Sequence, residues 1–123
     1  MLASCVWLIT GCASFQSIDR PAQFTIDQLI DPSGQSLYTF DRDAAYSGKS
    51  LCDGRCEELW RPVPAAPGSR RIDDFAIITR ADGTRQWAYR GKPLYRYAKD
   101  RKPSDAFGAG IDNLWRLAMR ESR

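Results

Sequence analysis

The strongest constraint on this chain is that it spells one pattern twice. The stretch "LYTFDRD" at residues 37–43 returns 57 residues later as "LYRYAKD" at 94–100. Gly34, Leu37, Tyr38 and Asp43 recur as Gly91, Leu94, Tyr95 and Asp100, with Phe40 answered by Tyr97 and Arg42 by Lys99. Each copy is followed by a Trp-Arg pair, Trp60-Arg61 lying 17 residues after Asp43 and Trp115-Arg116 lying 15 after Asp100. Agreement over so many positions implies a duplicated unit, spanning about 34–61 and 91–116. Two units are too few for a solenoid, so they are expected to pair face to face around one core.

Within each copy the alternation is that of a strand. Tyr38 and Phe40 project to one face, Leu37, Thr39 and Asp41 to the other, and Tyr95 and Tyr97 stand likewise against Leu94 and Arg96. Asp43 and Asp100 fall just beyond the strands, where a carboxylate accepts backbone N–H groups and closes a turn. The favoured reading is structural: aromatic core faces, two turn-closing aspartates, and Trp60 and Trp115 filling the space between. The sharper alternative is a ligand surface of ring faces and carboxylates built from Tyr38, Phe40, Asp43, Trp60, Tyr95, Tyr97, Asp100 and Trp115. It would suit a cation or a sugar-like or quinone-like ring.

The flanking text spells more strands. "FTIDQLI" and "QSLYTFD" enclose the turn-forming "DPSG", giving one hairpin. "FAIITR" and "RQWAY" enclose Asp82-Gly83, the strongest turn signal present, and "KPLYRYA" extends this second hairpin into a three-strand meander. "NLWRLAM" reads as a last strand. Between the units, "GKSLCDGRCEELW" is a loop leading into about two turns of helix, with Asp53 as N-cap and "RPVP" as the stop. The expectation is a mainly β protein of six strands: a small antiparallel β domain of two similar hairpin units with one short helix between them, occupying 23–121. At 123 residues there is room for one domain and no second core.

The opening "MLASCVWLITGCAS" carries no charge, and its apolar run is too short to span a membrane. It has the length of a signal-peptide core. The run ends in Ile9-Thr10-Gly11-Cys12, which resembles a bacterial lipobox, in which cleavage leaves a diacylglyceryl cysteine at the new N-terminus. Residues 1–11 then read as a lipoprotein signal peptide truncated ahead of its basic leader, Cys12 as the lipidated residue, and 12–22 as a polar tether. Two acyl chains hold a protein on a bilayer where one binds only reversibly. The expected location is outside the cytoplasm: anchored to the cell membrane or outer membrane, with the domain in the periplasm or at the cell surface.

Removing Cys5 and reserving Cys12 for lipid leaves Cys52 and Cys56, an even number that suits an oxidising compartment. If the C-D-G-R-C segment turns as a helix, its cysteine α-carbons lie roughly 6 Å apart, within disulfide range. Redox chemistry of the thioredoxin type uses two intervening residues rather than three, and zinc would need four ligands. A structural disulfide is therefore favoured, with redox or soft-metal binding as the alternative. Histidine is absent, which removes the usual general base and the commonest metal ligand. The net charge of +3 is dispersed along a chain of 27% charged residues, so no cationic stripe for nucleic acid is visible.

At the repeated residues the chain resembles a family of small bacterial lipoproteins marked by a Tyr-x-(Phe/Trp/Tyr)-x-x-Asp motif, the secreted-repeat lipoproteins. Residues 38–43 and 95–100 both match it, and "GKSLCDGRCEELWRPV" is similar to the family's Cys-x-Gly-x-Cys segment ending in Trp and Pro. The resemblance covers about 26–119. Trp60-Arg61-Pro62 stands where members often have Trp-Pro-Pro, and Pro103-Ser104-Asp105 where they have Pro-Gly-Asp. It implies an exported lipoprotein and brings no settled biochemical role. The expected function is a non-catalytic, lipid-anchored envelope module, without cofactor, that binds an envelope protein or small ligand or acts structurally. The alternative is a periplasmic redox or metal-handling protein using Cys52 and Cys56.

Overall fold

The structure is a computed structural model that describes residues 20–121. It is mainly β, as expected, but its strands are shorter and more numerous. β1 (Gln23–Thr25) and β2 (Gln28–Ile30) form a tight hairpin. The single strand expected over "FTIDQLI" is therefore corrected: the chain reverses at Ile26, which has φ 55° and is 88% exposed. The "DPSG" turn forms, with Gly34 N donating to the Asp31 carbonyl at 2.9 Å, and leads into β3 (Tyr38–Phe40).

The helix α1 (Arg55–Leu59) is one turn and a half, and Trp60 is already extended in β4 (Trp60–Pro62). Its N-cap is Gly54, at φ 58°, with no side-chain cap bond, in place of the expected Asp53. A left-handed residue is needed there, and glycine takes that conformation at least cost. The second hairpin, β5 (Phe75–Thr79) and β6 (Arg85–Tyr89), turns at Asp82-Gly83 as read from sequence.

The third meander strand divides. β7 (Lys92–Pro93) stays beside β6, whereas β8 (Tyr95–Tyr97) enters a different sheet. Leu94 is the corner: its N–H donates to the Trp87 carbonyl while its own carbonyl accepts from Val63. A 3₁₀ turn at Ile111–Asn113 precedes β9 (Trp115–Leu117).

The two units meet side by side, backbone to backbone, and not face to face around one core. The central sheet runs β4-β8-β3-β9, all antiparallel, with Tyr38 opposite Tyr95 at its middle. Each unit's closing strand pairs with the other unit's motif strand. Trp60 lies opposite Tyr97, and Trp115 lies opposite Phe40. The corners repeat this relation in full. Leu94 donates to Trp87, Trp87 to Val63 and Val63 to Leu94, a closed triangle of backbone bonds; Leu37, Leu29 and Ala118 form its twin. The glycines that open the copies also cross over. Gly91 (φ 81°) packs against Tyr46 and Gly34 (φ 91°) against Pro103, residues that are themselves 57 apart.

Period-two alternation then gives the central sheet one buried face, while on the other side the leucines that precede β3 and β8 are buried and Arg61 and Arg116 lie exposed. Leu37 and Leu94 join one cluster with Leu29, Val63 and Trp87. Tyr38, Phe40, Tyr95 and Tyr97 join the other with Cys52, Trp60 and Trp115. In the second cluster Trp60 and Trp115 stack with ring centroids 3.7 Å apart, flanked by Tyr97 at 4.5 Å from Trp60 and Phe40 at 4.3 Å from Trp115. Four rings from both units thus form one continuous pile.

Gly108 makes room for this pile. A Cβ there would lie 2.6 Å from Trp60 Cη2 and 3.0 Å from Tyr38 Cε1. Its φ is ordinary, so the constraint is space alone. Gly108→Ala is expected to destabilise by about 1–3 kcal/mol through overpacking, and to change the near-ultraviolet dichroism of the stacked tryptophans. A melting midpoint equal to that of the parent would show that the pile yields without cost.

Candidate functional site

The repeated aspartates do more than close their turns. Tyr38 donates its hydroxyl to Asp100 Oδ2, and Tyr95 donates to Asp43 Oδ2, each at 2.5 Å. Each carboxylate's other oxygen accepts the backbone N–H expected of a turn: Leu51 to Asp43 at 2.7 Å and Phe107 to Asp100 at 2.9 Å. All four motif side chains are buried, both tyrosines completely. The tyrosine of each unit is therefore locked by the aspartate of the other. Antiparallel pairing at Tyr38 and Tyr95 carries the end of each strand past the other's ring, which is why the bonds cross. Spacing in the sequence identifies the copies but not which copy partners which.

The surroundings of the two locks differ. Around Tyr38 the additional donor is plain backbone, Gly108 N at 3.2 Å. Around Tyr95 it is a side-chain network. Ser50 Oγ lies 2.6 Å from the Tyr95 hydroxyl and accepts from Arg80 Nη1 at 2.9 Å. Arg80 also donates to Gln86 Oε1 at 2.6 Å, to the Cys52 carbonyl at 2.5 Å and to Glu57 Oε1. Gln86, fully buried, passes its amide on to the Leu94 carbonyl at 2.7 Å. The Arg80 side chain is only 4% exposed, and Glu57 on α1 is its partly exposed counter-ion. Burying a guanidinium is tolerable only when charge and donors are both answered, as they are here.

Cys52 and Cys56 form a disulfide with α-carbons 5.2 Å apart. Cys52 follows Leu51 as Gly108 follows Phe107, so the buried cysteine takes the equivalent place beside the aromatic pile. The bond holds α1 and its Glu57 against Arg80.

Burial pushes the Asp43 carboxyl above the ordinary range, although Tyr95, the Leu51 amide, Lys92 and Arg80 all pull the other way. Burial, then the bonded carboxylate, drives both tyrosine hydroxyls well above their usual value. A further buried carboxylate, Asp31, escaped the sequence reading. Burial raises it, but the Ser33 hydroxyl, the Gln35 amide and Arg96 together hold it below the usual range. Arg96 Nε lies 2.8 Å from Asp31 Oδ2 as an ion pair, out of line for a hydrogen bond. Arg80, Gln86 and Ser50 were missed too, since nothing in a strand-end arginine or a loop serine signals burial.

The eight motif residues are thus brought together and buried, with four rings piled, Tyr38 and Tyr95 edge-on to them, and both carboxylates hydrogen-bonded. Among the described residues no group of three or more Cys, Asp or Glu is set to hold a metal ion. Cys12, the expected lipidation site, lies outside the described residues, as does the apolar run before it.

The sequence model of a secreted repeat of unknown function matches twice, over residues 27–64 and 76–119, well over half of the chain. The chain belongs to this family. Each matched stretch contains one copy of the motif and one of the closing Trp-Arg pairs. No curated protein and no solved structure matches the chain. Membership in the secreted-repeat family places it among exported proteins, in keeping with its disulfide.

The buried tyrosines define an alkaline transition. Their folded values stand above the ordinary one near 10, so the stability they contribute is present below pH 10 and is lost as pH rises beyond it. Absorbance near 295 nm is expected to show that Tyr38 and Tyr95, two of the five tyrosines, stay protonated until the protein unfolds. All five titrating reversibly near pH 10 with the fold intact would contradict the locks.

Proposed function

We propose that this secreted-repeat protein is a bacterial envelope module, lipid-anchored through Cys12, that works by its outer surface as a structural or binding element. The observation that carries the reading is the crossed Tyr–Asp pairing: the side chains repeated most faithfully are spent on holding the two units together. All four are buried and paired across the units, which favours a structural role for the motif. The lipobox-like run ending at Cys12 supports the anchor, and family membership supports export. The redox or metal-handling alternative for Cys52 and Cys56 draws less support. Cys52 is fully buried and only Cys56 is partly exposed, so an incoming thiol has one sulfur to approach, and the pair lies against the aromatic pile.

Expressed behind a complete signal sequence and fractionated, the protein is expected in the membrane, and Cys12→Ser is expected to be soluble or unprocessed. Normal processing and membrane retention of that variant would sink the anchor.

The cysteine pair separates the two functional readings. Thiol reagents are expected to find no reactive cysteine in the native domain. Forced reduction should loosen α1 and the preceding loop while both hairpins stay folded, because the closed loop is short. Reversible titration near the envelope potential, or a metal retained through desalting, would instead favour the redox or metal-handling role.

A further inference from the structure

The β1-β2 hairpin carries a side chain that its own fold does not ask for. Thr25 pairs with Gln28, so Ile26 and Asp27 make a two-residue turn, and Ile26 stands in the left-handed region at φ 55°. That position favours glycine. The corresponding hairpin of the other unit turns with Gly83, at φ 87°. A β-branched residue there is costly, and packing does not offset the cost, since Ile26 is 88% exposed. A lone exposed isoleucine ordinarily means little, but this one holds a strained position. Its neighbours extend the corner. Met119, bridged to Gln28, is exposed as well. Arg120 donates its backbone N–H to the Asp27 carbonyl and lays its guanidinium over the Phe24 ring, 3.8 Å from the centroid.

Arg20, the first described residue, stands at the same corner: with Phe24 and Arg120 it lines one cleft of about 270 Å³. We propose that the β1-β2 tip is the domain's contact with the lipid bilayer, Ile26 and Met119 entering the interface and Arg20 and Arg120 meeting the phosphates. The proposal rests on Cys12 being lipidated, because the anchor selects the occupant. Eight residue steps separate Cys12 from Arg20, a reach of at most about 28 Å, which is less than a domain of this size is wide. So short a tether keeps the face that bears Arg20 turned to the membrane. Leu51, also exposed, lies away from it. Its neighbour Ser50 shares a cleft with Asp82, whereas Phe75, at the opposite end of the β5-β6 hairpin, lines the Arg20 cleft. Contact through two apolar side chains is weak alone and gains from an anchor that holds the tip at the surface.

The test places the full chain, expressed behind a complete signal sequence, in phosphatidylcholine vesicles whose acyl chains carry bromine. Intact mass reports acylation of Cys12 separately. Trp60, Trp87 and Trp115 are buried, so a tryptophan added at the surface is read as the difference from the parent. Ile26→Trp is expected to add blue-shifted emission that bromine quenches roughly twofold, while the emission added by Leu51→Trp is left nearly unquenched. Should Ile26→Trp lose the parent's far-ultraviolet dichroism, Met119→Trp takes its place, with the same quenching expected. An acylated chain whose tip is quenched no more than Leu51→Trp overturns the contact and leaves the anchor standing. A chain without acyl groups on Cys12 overturns the anchor, and this contact with it. A blue shift without quenching that grows with protein density would put a second copy on the tip, and would overturn the contact equally.

Discussion

The fold depends on two carboxylates that could not be buried alone. Asp43 and Asp100 sit in the interior, where an unanswered carboxylate would cost more than a small domain can spare. Each is answered by one backbone N–H from its own loop and one hydroxyl from the opposite unit. The first bond shapes the loop and the second fixes the distance and register between the units. The remaining arrangement follows: Tyr38 opposite Tyr95, the closing strands exchanged across the sheet, and the tryptophans they carry brought face to face.

Much of this was legible in the sequence, but only the part written in local pattern. Alternation placed Leu37 and Leu94 on one face and the aromatic rings on the other, and the sheet keeps that division. The cysteine spacing gave the disulfide, and Asp82-Gly83 gave its turn. What failed were features settled by non-local bonds. Nothing near Leu94 announces that its N–H and carbonyl serve strands in different sheets, so one expected strand became two. Nothing near Ile26 announces a reversal, because a β-branched residue with positive φ runs against local preference. The side-by-side union of the units was also invisible, since a repeat says that two things are alike and not how they meet.

Within this symmetry one half has been modified. The lock around Tyr38 is completed by the N–H of Gly108; that around Tyr95 recruits Ser50, Arg80, Gln86 and a disulfide-held helix. Backbone alone suffices in one half, so the second network is not required by the Tyr–Asp pair itself. Its cause is the neighbouring strand. Gln86 takes the place of Gln28 in β2, as Trp87 takes that of Leu29; what the longer β5-β6 hairpin adds is Arg80, at the end of the strand paired with β6. Once Arg80 is inside, Glu57 must face it, and α1 must be held for Glu57 to do so. The disulfide therefore matters beyond its short loop: it keeps the counter-ion of a buried charge in place.

Crossed pairing also bears on why the unit occurs twice. A single unit would expose its tyrosine face, leave its aspartate with a turn N–H and no hydroxyl, and have no strand to cover its own. Its closing strand, with its tryptophan, is built to pair elsewhere. Neither half can approach the native energy by itself, so folding must join contacts some 57 residues apart before either core is complete. The gain is cooperativity. In a domain too small for a generous core, the two hydroxyl–carboxylate bonds and the shared ring pile make opening of one half costly to the other. For an exported chain beyond the reach of cytoplasmic chaperones, that coupling protects the interior as a unit, and the surface alone remains free to evolve a role.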